Sequence, residues 1–182
     1  DRGYIATANN KIVDDDYPYY ISNQWAEPSR IERIEEWLES KEKLTIDDMK
    51  TLQNDWLSPF AREVVPNIIK WLPQDLNEKE TIALKILNGW DYIEDKESAA
   101  ALIFHTVLDE LLHNVYEDEL AMIDDKAFDA LVHFSMLPYR NIHWVLAEGQ
   151  SSWIDDVTTP NHIETCADIV SKSFSNAIKR IE

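Results

Sequence analysis

Glycine and cysteine are nearly missing from this sequence. Only Gly3, Gly89 and Gly149 occur in 182 residues, where average usage of about 7% would supply roughly a dozen. With plentiful Leu, Ile, Ala, Glu and Lys, this shortage favours helices over a sandwich or barrel. Cys166 stands alone, which excludes a disulfide framework and a thiolate metal site. Positive charge is also short, with 17 Lys and Arg against 35 Asp and Glu and a net charge of −18. Bulk electrostatics therefore argue against nucleic acid or an anionic membrane as partner. No apolar run approaches the ~20 residues needed to cross a bilayer. There is no glycine-rich phosphate loop, no Gly-x-Ser-x-Gly elbow and no internal repeat. The sequence starts at Asp1 without a methionine and stops at Glu182 in a helix-like segment. We expect an excised piece of a longer protein.

What is present begins with Gly3-Tyr4-Ile5-Ala6-Thr7-Ala8-Asn9-Asn10. The β-branched, aromatic and small residues suit a short strand. Two asparagines close it, and asparagine tolerates left-handed backbone angles. The segment reads either as a strand running into a turn or as a strand that holds a carboxamide NH2 at a fixed point, as an oxyanion hole requires. Asp14-Asp15-Asp16 and Tyr17-Pro18 follow as loop, because Pro18 disfavours helix for Tyr17.

Several blocks match one family in order and spacing. They are the Gly3 to Asn10 run, Asp15-Asp16-Tyr17-Pro18-Tyr19-Tyr20-Ile21-Ser22 with Trp25, Ser29-Arg30-Ile31-Glu32-Arg33-Ile34, and Lys43-Leu44-Thr45-Ile46-Asp47-Asp48-Met49. The sequence resembles the β-chain of the penicillin acylase (penicillin amidase) family of N-terminal-nucleophile hydrolases. The likeness covers residues 3–72 and returns faintly at Asn88-Gly89-Trp90-Asp91. It implies an amidase of the acylated β-lactam or acyl-homoserine lactone type. In that family a zymogen cleaves itself and frees an N-terminal serine, whose α-amino group serves as base.

By this resemblance Asn9 is the oxyanion-hole donor and Arg30 supports the active site. The nucleophile would lie upstream, so the fragment should be inactive alone. Its partners would be the remaining α- and β-chain segments and a small-molecule amide substrate. An extracellular or periplasmic parent is implied. Family members often carry a structural calcium, with one ligand an aspartate three residues after the Tyr-Pro proline. Here that place is Ile21, so no metal or cofactor is expected. Residues 1–27 would be strand and loop of the parent's catalytic αββα sandwich, and residues 28–182 a helical subdomain. The expected class is mainly α with one N-terminal β-strand segment.

The rest of the chain reads as capped helices. Pro28-Ser29 opens one with Ile31, Ile34, Trp37 and Leu38 on one face. Arg30 falls in its first turn, where a cation opposes the helix dipole. That asks for a local partner, and Glu27 or Glu32 would serve as a surface ion pair. Thr45 with Asp48 caps a helix whose inner stripe is Met49, Leu52 and Trp56. Ser58-Pro59 opens the next, Asn77 with Glu80 caps another, and residues 98–120 form the longest. Asn161 with Glu164 is expected to cap the last helix, with Ile163, Cys166, Val170, Phe174 and Ile178 on its stripe.

Two non-amidase readings remain. His105, Asp109 and His113, or Glu110 with His113, share one helix side in the way metal-binding bundles place ligands, or they form an ordinary polar face. The helices after Leu72 carry caps and cores but no convergent polar set, which would suit a non-catalytic interaction or scaffold domain.

Overall fold

The computed structural model describes residues 2–134 and 136–182. Among them are eight α-helices: α1 (Ser29–Glu39), α2 (Ile46–Gln53), α3 (Pro59–Trp71), α4 (Glu78–Asn88), α5 (Ala99–Ala121), α6 (Ala127–Phe134), α7 (Leu137–Glu148) and α8 (Cys166–Ile181). A 3₁₀ turn at Ser152–Ile154 joins the last two.

The helix starts follow local chemistry. Thr45 accepts from the Asp48 N–H while the Asp48 carboxylate accepts from the Thr45 N–H, and Asn77 with Glu80 repeats the arrangement. Ser58 caps α3, which has Pro59 in its first turn and runs on through Pro66. The α7 helix ends at Gly149 in the left-handed region, φ 71°.

The core is built around α5. Phe104, Val107, Leu111, Leu112 and Val115 are buried along it. They pack with Ile169, Val170, Phe174 and Ala177 of α8, with Val64, Val65 and Ile68 of α3, and with Ile142 and Leu146 of α7. Asn114 donates to the buried Ser173 hydroxyl at 3.0 Å, so the polar group at the α5–α8 seam is satisfied. Cys166 is a buried core residue of α8, and burial pushes its thiol up to about 11.

Three expectations are corrected. The run at residues 3–10 forms no strand and bends at Gly3, Ala8 and Asn9. The sole β-pairing among the described residues is an isolated bridge between Leu57 and Ile93. A strand exists only in a ladder with a neighbour, and among the described residues no ladder includes this segment. Trp56 lies beyond the end of α2 and is 47% exposed, so the helical phase that put it on an inner stripe no longer applies. The last helix is capped by Thr165 with Asp168, four residues later than expected. Asn161 adopts φ 77°, and Glu164 accepts from the Asp156 N–H at 3.0 Å and the Thr159 hydroxyl at 2.9 Å. Ile163 is thereby left outside the helix, 77% exposed.

Candidate functional site

The N-terminal segment meets the helical body where α1 begins. Asn9 has φ 61°, one of three non-glycine residues with positive φ among those described. Its neighbours hold this unfavourable angle. The Ala26 N–H donates to the Asn9 carbonyl at 2.8 Å. Asn10 Oδ1 accepts from the Ala8 N–H at 3.0 Å, closing a local turn around Asn9.

Arg30 completes the arrangement. Its Nη2 donates to the Ala8 carbonyl at 2.8 Å and to Asn9 Oδ1 at 3.0 Å. The structure thus brings Asn9 and Arg30 together across 21 residues, and the first-turn cation bonds to the incoming N-terminal segment. A guanidinium only donates, so the carboxamide must present its oxygen to it and turn its NH2 elsewhere. Asn9 and Arg30 line a cavity of about 250 Å³ with Gln24, Trp25, Ala26, Met136 and Leu137. An NH2 group beside a cavity, its rotamer fixed by a cation, can donate to a developing oxyanion.

Around this cavity the charges are ordered. Glu27 Oε1 accepts from the Ser29 N–H at 2.9 Å, and its second oxygen accepts from the Ser29 hydroxyl. Partial burial, then the charges of Glu63 and Glu27, holds the Glu32 carboxyl above its ordinary range. One turn on, Arg33 pairs with Asp55 at 2.6 Å and Glu36 at 3.0 Å, tying α1 to the segment before α3. A larger groove of about 630 Å³ shares Arg30 with the first cavity and is lined also by Ser29, Ile34, Leu52, Leu57 and Pro59.

Met136 and Leu137 carry no signal that would place them here from sequence, since more than a hundred residues separate them from Asn9. Gln24 lines the cavity and Ala26 contributes its backbone N–H, and neither residue type marks such a place in a sequence. Ile21 has a hydrocarbon side chain, and Asp15 pairs with Lys11. The polar side of α5 is engaged in pairs. His105 bonds Glu94 at 2.8 Å, His113 bonds Glu117 at 3.0 Å, and Arg180 reaches both Asp109 and Glu110.

Comparison with known proteins places these residues in a wider setting. The family profile described as penicillin amidase matches residues 1–182. An acyl-homoserine lactone acylase of Pseudomonas fluorescens strain Pf0-1 is 27% identical over 190 residues, covering 97% of this chain and 23% of the relative. The acyl-homoserine lactone acylase of Pseudomonas syringae pathovar tomato is 28% identical over 194 residues, 98% of this chain and 23% of its own length. The penicillin acylase 2 proenzyme of Pseudomonas strain SE83 is 42% identical over 108 residues, 57% of this chain and 13% of the proenzyme. The chain therefore spans about a quarter of the curated acyl-homoserine lactone acylases it matches. No helix among the described residues is long and apolar enough to cross a membrane.

Proposed function

This chain belongs to the penicillin amidase family, and from that premise we propose that it supplies the oxyanion-binding part of an amidohydrolase. The substrate class is a linear amide of the acyl-homoserine lactone or acylated β-lactam type. The attacking serine, freed by self-cleavage at the N-terminus of the β-chain, comes from outside residues 1–182. Its α-amino group takes the hydroxyl proton as the oxygen attacks the amide carbonyl. The carbonyl oxygen gains negative charge and accepts from the Asn9 NH2. Collapse of the tetrahedral intermediate passes the proton to the leaving amine, and water then hydrolyses the acyl-enzyme. Residues 1–27 pack into the parent's catalytic sandwich, and residues 28–182 form the helical subdomain beside it. Export to the periplasm or beyond goes with this reading.

One observation supports it above the others: Arg30 Nη2 sits 3.0 Å from Asn9 Oδ1 beside a cavity, which holds the carboxamide by its oxygen and turns its NH2 away from the guanidinium. The test is Asn9→Ala in the whole enzyme, with Asn9→Gly as a control that accepts the left-handed backbone without strain. Both should lower kcat by about 10²–10³ with KM and circular dichroism little changed. Near-normal turnover in either variant would refute the assignment.

A further inference from the structure

We propose that Glu27 is a positioning residue for Asn9, an inference that rests on the oxyanion reading above. The first-turn N–H groups of any helix lack intrahelical acceptors. The residue before α1 is Pro28, at φ −76° and ψ −9°, and it gives no side-chain cap. Glu27 fills that role from one residue further back. One carboxylate oxygen accepts from the Ser29 N–H and the other from the Ser29 hydroxyl. Ser29 is 8% exposed, so its hydroxyl needs an internal acceptor. A carboxylate at a helix N-terminus also suits the helix dipole.

The two grips on Asn9 flank this cap in sequence. Ala26, immediately before Glu27, holds the Asn9 carbonyl at 2.8 Å. Arg30, immediately after Ser29, holds the Asn9 carboxamide at 3.0 Å. Glu27 therefore fixes the turn that joins the backbone grip to the side-chain grip. The cavity is lined by Asn9, Gln24, Trp25, Ala26 and Arg30 but not by Glu27, so the carboxylate acts through its neighbours. Slack in this turn moves the Asn9 NH2 away from the reacting oxygen, and a displacement of about 1 Å can lower turnover by about 10².

The test uses the whole matured enzyme with decanoyl-homoserine lactone as probe, with enzyme concentration set by the acyl-enzyme burst. Glu27→Gln replaces one acceptor oxygen by an NH2 and leaves one Ser29 donor without its partner. It should lower kcat about tenfold with KM within about twofold. Placed in Asn9→Ala enzyme, the same substitution should change kcat by less than about twofold, because the group it positions is gone. Ser29→Ala, which removes one of the two bonds at constant charge, should show the same dependence on Asn9 and stands in if Glu27→Gln does not mature. Unchanged kcat in both variants, or an equal loss with and without Asn9, would overturn the inference. Near-normal turnover of Asn9→Ala alone would overturn the oxyanion reading and this inference with it.

Discussion

A Cβ placed on Gly149 would lie 2.3 Å from Cζ2 and 2.6 Å from Cη2 of Trp71. The glycine ends α7, and the indole of Trp71, at the end of α3, donates from Nε1 to the Leu146 carbonyl at 2.8 Å. The two helix ends are therefore locked by one ring lying flush on bare backbone. Gly149→Ala meets both a left-handed φ of 71° and this ring. Urea unfolding of the chain, followed by far-ultraviolet circular dichroism, should show a loss of about 2–4 kcal/mol. Gly89→Ala is the contrast. Its φ is −96° and its Cβ would come no closer than 3.6 Å to anything, so stability should hold or rise by about 0.4–1 kcal/mol.

How much of this was legible in the sequence depended on whether local chemistry or a distant partner decided it. The Thr45–Asp48 and Asn77–Glu80 caps and Ser58 before Pro59 are each settled within four residues, and the structure has them as expected. The start of α8 was misread because two capping boxes stand four residues apart and look alike locally. Asp156 and Thr159 claim the Glu164 carboxylate, and that leaves Thr165 with Asp168. The pattern of residues 3–10 signals a strand's side chains but not a ladder, which is a property of two segments. Met136 and Leu137 reach the Asn9 cavity only through the path of α7. The pairing of Arg30 with Asn9 was suggested by resemblance alone, since an arginine in a first turn would otherwise be matched with Glu27 or Glu32.

That pairing separates activity from stability. Arg30 is an exposed cation at the positive end of α1, a poor place for it energetically. Its two bonds are to Ala8 and Asn9 and to no acid of its own helix. Arg30→Ala should therefore shift the chain's unfolding free energy by no more than about 1 kcal/mol. In the whole enzyme kcat should fall roughly 10–100-fold, the worth of a charge-assisted hydrogen bond of about 1.5–3 kcal/mol. Equal turnover with altered stability would mark the residue as structural only.

Glu119 gives the helical body a pH dependence of unusual sign for an acid. Near the end of α5, its Oε2 is buried without a hydrogen-bond partner. Burial first, then the adjacent Asp118 and the charge of Asp155, raises its carboxyl to about 7. Asp118 meanwhile accepts from the Val157 N–H at 2.8 Å, docking the loop after the 3₁₀ turn on α5. In the unfolded chain Glu119 would titrate near 4.3, so between about pH 4 and 7 the folded chain holds a proton that the unfolded chain has lost. The stability this represents is complete below the unfolded value and disappears as pH rises through about 7. Asp156, Asp168 and Glu36 have lowered values. Their contributions are full above the ordinary carboxylate range and vanish only in stronger acid, outside this window. The urea midpoint of the chain should therefore fall from pH 5.5 to pH 8.5, and Glu119→Gln, neutral throughout, should flatten that fall. Parallel pH profiles in the two proteins would show that Glu119 does not carry the dependence.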